Sequence, residues 1–388
     1  MIKLIRTSTV PISLKILLQG QLGFLNNYFE IIAISSGEEE LDDVKKNENV
    51  KTISILIKRK ISLLQDLISL VKLYLVFKKE KPFIVHSITP KAGLLSMIGA
   101  KLANIPIRMH TFTGLVFPSK RGLYKKLLIF MDKLLCACAT NVYPEGEGVK
   151  KDLIKYNITS KSLRVLANGN INGIDTSYFD PSFFNYESKR TIRKNLKIGD
   201  NDIIFLFIGR LVSDKGINEL VNSFTEIVPE YNNIKLLLVG TYEHDLDPLD
   251  KETLYLIKNN ENILSVGYKV DVRPYFAVSD IFAFPSYREG FPNVVIQAGA
   301  MGLPSIVSDI NGCNEIIIDG ENGIIIPSKD KNILKEKMKL LIENAEFREK
   351  LKGNARNMIT SRYEQQIVWD AMLKEYRDLL NEKGVFCV

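Results

Sequence analysis

The chain lacks any apolar run of the roughly 18–20 residues that a membrane-spanning helix needs, which excludes an integral membrane protein built on such helices. Its start, Met1 to Gln21, sets Lys3, Arg6 and Lys15 among apolar residues and has no clean signal-peptide core. Cysteine is scarce: Cys136, Cys138, Cys313 and Cys387 show neither zinc-ligand nor disulfide spacing, and Cys136-Ala-Cys138 has no second half. A reducing, cytoplasmic location is the expectation. The Gly-x4-Gly-Lys-Ser/Thr order of a P-loop is missing. No Gly-x-Gly-x-x-Gly follows a strand-like run, which weighs against a dehydrogenase. Internal repeats, low-complexity tracts and nucleic-acid-binding motifs are likewise missing.

What is present is an ordinary globular composition, 46% hydrophobic and 25% charged over 388 residues, enough for two domains with sizeable cores. The net charge of +7 is unevenly spread. Residues 1–190 hold 28 Lys/Arg against 16 Asp/Glu, a balance of +12, and residues 191–388 hold 24 against 29, a balance of −5. A basic first half predicts an anionic partner met by that half alone. The cations sit among apolar residues, as in Lys58-Arg59-Lys60-Ile61, Lys78-Lys79-Glu80-Lys81 and Lys120 to Leu128. That mixture fits the anionic inner face of a membrane better than nucleic acid, and makes the protein a peripheral one. A solvated helix flank explains any single cluster equally well.

Short apolar runs alternate with amphipathic stretches along both halves. In the first, Phe29–Ser35, Thr52–Ile57, Phe83–Ser87 and Ile105–His110 read as strands, with helices over Ile61–Lys78 and Ala92–Ala103. In the second, strands are expected at Ile203–Arg210, Lys235–Gly240, Ile263–Gly267, Ile281–Pro285 and Pro304–Ser308, with a helix over Ile217–Val228. This rhythm predicts an α/β protein of two Rossmann-like, doubly wound domains facing a cleft. The expected division is residues 1–185, a polar linker at 186–201, a second domain at 202–365, and a C-terminal amphipathic helix at 366–388 that returns to the first domain. Ligands gather at strand C-termini in such sheets, which puts Ser36, His86 and His110 in view.

Two stretches of the second half carry chemistry. Gly209-Arg210-Leu211-Val212-Ser213-Asp214-Lys215-Gly216 leaves a strand and enters a helix, and its two cations can flank a diphosphate. A bland arrangement, Arg210 paired with Asp214 and Lys215 solvated, is equally open. Phe284 to Pro304 contains Glu289-Gly290-Phe291-Pro292-Asn293, an acid on a turn before a helix whose first N–H groups lack intrahelical partners. Hydroxyls and phosphates together suit that turn, and nucleotide-linked sugars carry both.

Taken in order, Gly-Arg-x4-Lys-Gly, Glu-Gly-Phe-Pro-Asn with Ala-x-Gly-x-Pro, Gly-x-x-Glu-Ile-Ile at Gly312–Ile317 and Asn322-Gly323 resemble the retaining family-4 glycosyltransferases of the GT-B fold. His110-Thr111-Phe112-Thr113-Gly114 and Asn168 to Asp175 are similar to capsule and exopolysaccharide enzymes of that family. The resemblance spans nearly the whole chain. It implies a metal-independent bacterial hexosyltransferase that moves a sugar from a nucleotide diphosphate to a hydroxyl of a lipid-linked or oligosaccharide acceptor, in capsule, exopolysaccharide or O-antigen synthesis. Donor binding falls, by the resemblance, to Gly209, Arg210, Lys215, Glu289, Gly290, Phe291, Asn293, Val294 and Gln297. Arg210 and Lys215 would neutralise the leaving diphosphate, Glu289 would hold sugar hydroxyls, and His110 would lie near the anomeric carbon. Position 297 is usually a glutamate that grips the ribose; Gln297 bonds a diol without charge assistance. His86 is a further cleft candidate, and His244 is assigned nothing.

No cofactor or metal is expected. Asp245-Leu246-Asp247 matches the Asp-x-Asp of metal-dependent transferases of another fold, but it follows Thr241-Tyr242-Glu243-His244 and precedes Pro248, which reads as a surface loop. Two alternatives share the architecture: a nucleotide-sugar 2-epimerase, which needs more histidines and carboxylates, and a catalytically weak nucleotide-sugar-binding subunit, suggested by Gln297.

Overall fold

A computed structural model describes residues 1–243 and 247–385. His244, Asp245 and Cys387 lie outside the described residues. The chain forms two units, one of Met1–Gly173 joined by the segment from Gln365, the other of Ile174–Glu364. Each is built on a six-stranded sheet in which every pairing is parallel.

In the first unit the strands are β1 (Lys3–Thr7), β2 (Glu30–Ser35), β3 (Lys51–Ser54), β4 (Ile84–Ser87), β5 (Ile107–Phe112) and β6 (Asn141–Pro144), ordered β3-β2-β1-β4-β5-β6. The second unit holds β7 (Ile203–Ile208), β8 (Ile234–Val239), β9 (Ile263–Ser265), β10 (Ile281–Phe284), β11 (Ser305–Ser308) and β12 (Gly323–Ile326), ordered β12-β11-β10-β7-β8-β9. The run Ile-Ile-Phe-Leu-Phe-Ile of β7 is apolar throughout because helices cover both sheet faces and leave no polar side. Strand order reverses between β1 and β4 in one unit and between β7 and β10 in the other. At such a reversal the crossover helices leave to opposite faces, and a crevice opens at the carboxyl ends of the two strands.

Three strands have no counterpart in the sequence reading: β1, β6 and β12. β1 is central yet carries Lys3 and Arg6 within five residues, which hides its strand character. Arg6 is fully buried and donates to the Tyr376 hydroxyl at 2.6 Å, a partner supplied by the Gln365–Glu382 helix. That helix packs in the first unit, where Trp369 Nε1 also donates to Asn172 Oδ1 at 2.7 Å.

The unit boundary falls at 173/174 rather than at 185. Ile174 N–H donates to the Tyr363 carbonyl at 2.8 Å, which draws residues 174–185 into the second unit. The expected linker over 186–201 is instead a helix, Tyr186–Asn195, capped by Asn185 Oδ1 on Ser188 N–H at 2.9 Å. Arg193 holds it down by donating to the carbonyls of Gly199, Asp202 and Val278. Its polarity is that of an exposed, well-capped helix on the surface of its own unit.

Both histidines of the first sheet belong to the core. Arg6 can only donate, so the Tyr376 hydroxyl accepts from it and is left to donate its own O–H to His86 Nδ1 at 2.6 Å. His86 Nε2–H then donates to Thr111 Oγ1 at 2.8 Å. With both ring nitrogens committed and no exposed surface, His86 is not a cleft residue. His110 lies inside β5, 1% exposed, with Nδ1 2.8 Å from Ser87 Oγ and its ring edge-on to Phe112 at 4.5 Å. Gly93, on the helix Pro90–Leu102, makes room for it: a Cβ there would stand 2.5 Å from His110 Cε1. Burial pushes the His110 pKa down to about 3, far below the ~6.5 of the unfolded chain. Its contribution to stability is complete above pH 6.5 and lost as the pH falls towards 3. Urea unfolding at pH 7 and pH 5 is expected to show a stability loss about 2 kcal/mol smaller in His110→Gln than in the native chain.

Candidate active site

The crevice between β7 and β10 is where two motif loops meet. After β7 the chain turns through Gly209 and Arg210 into a single 3-10 turn, Ser213–Lys215, then enters the helix Ile217–Ile227. Gly216 sits at φ 70°, and a Cβ there would stand 2.1 Å from the Pro285 carbonyl, so only glycine lets the two loops come this close. From the β10 side, Tyr287 N–H donates to the Asp214 carbonyl at 2.8 Å and Arg288 pairs with the Asp214 carboxylate at 2.9 Å. The second Asp214 anchor is its own N–H, which donates to Asp247 Oδ2 at 2.7 Å. Asp247, the described end of the Asp-x-Asp stretch, thus serves the turn.

This stitching delivers Lys215 to Glu289. Their side chains form an ion pair, each about 15% exposed, and Ser286 Oγ donates to the same Glu289 oxygen at 3.0 Å. The ammonium also lies 5.8 Å from the Phe284 ring centroid. Ser286 was missed in the sequence; its place three residues before Glu289 was the available signal. Arg210 is about half exposed and donates to Glu243 at 2.7 Å. The bland arrangement considered above does not occur: Asp214 takes Arg288, Arg210 takes Glu243, and Lys215 is not solvated.

Glu289 leads into the helix Asn293–Ala300. Its residues Val295, Ile296 and Ala298–Ala300 are buried, while Asn293, Val294 and Gln297 form the half-buried side. The spacing of 293 and 297 puts Gln297 one turn along from the helix start on that side. Val295 N–H turns back to the Pro292 carbonyl at 3.1 Å, so the amides of Asn293 and Val294 precede the first such bond. Phe291 is 6% exposed and packs edge-on to Tyr363 at 5.6 Å. Its ring is structural.

Gly312 closes the arrangement. At φ 75° its position would place a Cβ 2.6 Å from the Gly290 carbonyl and 2.7 Å from Phe291 Cα, so this motif turn rests on the Glu289 loop. Glu315 caps it by accepting from Gly312 N–H at 3.2 Å. Cys313 is fully buried beside the ion pair, and burial, followed by the charge of Glu289, pushes its thiol well above its ordinary range. Asn322 is structural, accepting from Ile318 N–H at 2.8 Å and donating to the Ile316 carbonyl.

In the first unit the corresponding rim is made of hydroxyls, which the sequence reading passed over except for Ser36. Thr9 and Thr89 hydroxyls lie 2.8 Å apart at the β1/β4 reversal, Thr9 Oγ1 accepts from Ala92 N–H, and Ser36 Oγ donates to the Thr9 carbonyl at 2.7 Å. Thr113, just beyond β5, donates to the Ile88 carbonyl at 2.9 Å. His110 is three residues inside the strand from Thr113. Its buried Nε2 has no protein partner, but its burial gives no support to the placement against a sugar that the resemblance implied.

Two family models match, one in each unit: "Glycosyl transferase 4-like" over residues 16–145 and "Glycosyl transferases group 1" over residues 188–358. The chain is 33% identical over 368 residues to the capsular polysaccharide biosynthesis glycosyltransferase CapM of Staphylococcus aureus, covering 94% of each chain. It is 31% identical over 316 residues to an Escherichia coli UDP-Gal:alpha-D-GlcNAc-diphosphoundecaprenol alpha-1,3-galactosyltransferase, covering 79% of this chain and 78% of that one. Among solved structures, Anabaena HepE in complex with UDP superimposes with a TM-score of 0.82 at 15% identity over 97% of this chain and all of that one, a likeness of fold. Two parallel sheets, the motif loops at the second sheet's reversal and a relative matched almost end to end place this chain in the GT-B, family-4 glycosyltransferases of the bacterial capsule type.

Proposed function

We propose that the protein transfers a hexose from a nucleoside-diphosphate donor to a hydroxyl of a lipid-linked glycan, with retention at the anomeric carbon and without a metal. The observation that carries this reading is the meeting of Lys215 and Glu289 at the β7/β10 reversal, a cation for a phosphate beside an acid for sugar hydroxyls. Two relatives named above support the substrate class, one named for capsular polysaccharide synthesis and one for a diphosphoundecaprenol acceptor. The UDP bound to the HepE fold relative supports a nucleotide donor. A lipid-linked acceptor and the basic first half also favour work at an anionic membrane surface.

In the reaction the acceptor oxygen bonds to the anomeric carbon as the bond from that carbon to the diphosphate oxygen breaks. The acceptor proton passes to the departing phosphate oxygen on the same face. Lys215 and Arg210 stabilise the charge that develops there, a preorganised electrostatic contribution. The ion pair keeps Lys215 and Glu289 in place before the donor arrives. Arg210 is released from Glu243 when the diphosphate takes it. That exchange is cheap, because an exposed ion pair contributes only about 0–1 kcal/mol. The amides of Phe291, Asn293 and Val294 present donors to phosphate or sugar, and Gln297 reaches the ribose diol.

The deciding experiment offers UDP-, GDP- and ADP-hexoses with a polyprenyl-diphosphate sugar in EDTA and follows product mass and anomeric configuration. Transfer with the α-linkage of the donor kept is expected. Inversion, a requirement for metal, or acceptor-free conversion of the sugar would each sink a part of the reading. Lys215→Met is expected to lower kcat by about 10²- to 10³-fold, and Glu289→Gln to raise the donor KM about tenfold. Glu243→Gln, which frees Arg210, is expected to lower the donor KM about two- to fivefold with kcat unchanged. Gln297→Glu is expected to tighten the donor by about two- to tenfold by restoring charge assistance to the ribose contact. Transfer seen only in that last variant would instead make the native chain a binding subunit.

A further inference from the structure

A chain of hydrogen bonds with one direction runs through the core of the first unit and ends at a cavity. It starts at Arg6, whose fully buried guanidinium donates from one terminal nitrogen to the Tyr376 hydroxyl. Its Nε–H and Nη2–H meet no acceptor among the described residues. A guanidinium has donors only, so each later bond has its direction fixed. Tyr376 donates to His86 Nδ1, which leaves the ring proton on Nε2, and Nε2–H donates to Thr111 Oγ1 at 2.8 Å. The Thr111 oxygen accepts there, and its own O–H is left to donate. Thr111 is 4% exposed, and no acceptor for that O–H occurs among the described residues. Buried hydroxyls are rarely left so.

Thr111 lies on the wall of a small cavity. Glu145 and Asn170, at 6% and 4% exposed, line it too, together with the apolar Leu166, Ile171 and Met372. All of them belong to the first unit. The centre of a water molecule has about 10 Å³ there, which is room for one. A buried water needs two to four polar partners, and three buried polar side chains surround this one. Direction decides the rest. The occupant has to accept from Thr111, which no metal or ammonium ion can do. A halide accepts, but Glu145 lines the same cavity, and two anions in so small a space repel strongly.

We infer that this cavity is a binding site for one water molecule, which accepts from Thr111 and donates to Glu145, and so completes a hydrogen-bonded path from Arg6 to the end of β6. The path ties together two segments far apart in the chain. The Glu145 carbonyl accepts from Asn170 N–H at 3.0 Å, and Asn170 Oδ1 accepts from the amides of Asn172 and Gly173 at 3.0 and 2.8 Å. Tyr376 and Met372 belong to the Gln365–Glu382 helix. The chain leaves the first unit after Gly173 and re-enters it at Gln365. One water thus links the segment by which the chain leaves to the helix by which it returns.

A crystal structure of the full chain that resolves ordered water is expected to show one peak within hydrogen-bond reach of Thr111 Oγ1 and Glu145, unchanged by a bromide soak. An empty cavity, a Met372 side chain turned into it, or an anomalous bromide signal there overturns the assignment. Thr111→Val removes the donor, and Thr111→Ser keeps it. Amide exchange at residues 170–173 and along Gln365–Glu382 is expected to be about tenfold or more faster in the valine variant and near-native in the serine variant. The amides of β2, remote from the cavity, should exchange alike in both. Equal exchange in the two variants, or a rise spread evenly over the whole unit, overturns the inference. Should the valine variant fail to fold, the serine variant and the native density still decide it: serine without the water peak sinks the site.

Discussion

The ion pair between Lys215 and Glu289 joins loops 74 residues apart, and the contacts of Ser286, Asp214 and Gly216 hold those loops together. Two opposite charges withdrawn from water are stable only with close geometry and further hydrogen bonds. Ser286 supplies one such bond directly. Asp214, anchored by Asp247 and clasped by Arg288 and the Tyr287 amide, keeps the lysine's turn from drifting. The close passage of Gly216 by the Pro285 carbonyl sets how near the loops can come. On the proposed reading, a nucleotide sugar would meet this cation and this acid already oriented, so little of its binding energy would go into ordering them.

A different partition of charge governs the first unit. Its core takes polar groups inward in hydrogen-bonded chains, as in Arg6, Tyr376, His86 and Thr111, which tie the last helix to the central strands. Its reversal point is lined by hydroxyls, those of Thr9, Thr89 and Ser36. Meanwhile Asp66 and Glu80, the two acids of the Leu63–Glu80 helix, are tucked against lysines while its leucines stay exposed. Part of the first half's balance of +12 lies here, where seven Lys/Arg in residues 58–81 outnumber two acids.

Some of this was legible in the chain. Apolar runs of strand length separated by helical stretches reveal two parallel, doubly wound sheets, since such strands are buried on both faces and need no partner to be recognised. The Gly-Arg-x4-Lys-Gly and Glu-Gly-Phe-Pro-Asn stretches disclose the donor loops because glycine, proline and charge leave a local signature. β1 was hidden by Lys3 and Arg6, whose partners, Glu80 and Tyr376, lie far along the chain. The 186–201 stretch looked like a linker because exposed helices and linkers are both polar. His110 was placed near the sugar by the family resemblance, and the fold sets it inside β5, buried against Ser87.

What the sequence by itself determined about this protein is its class: the alternation of strand and helix, the order of the motif loops, and the residue types a nucleotide sugar requires. These follow from short-range rules of period, turn chemistry and charge. Only the tertiary structure decided the pairings: Lys215 with Glu289, Arg210 with Glu243, Asp214 with Arg288, and Asp66 with Lys91. Partners separated by tens of residues are chosen by which strands lie side by side. Charge spacing along the chain carries no record of that choice.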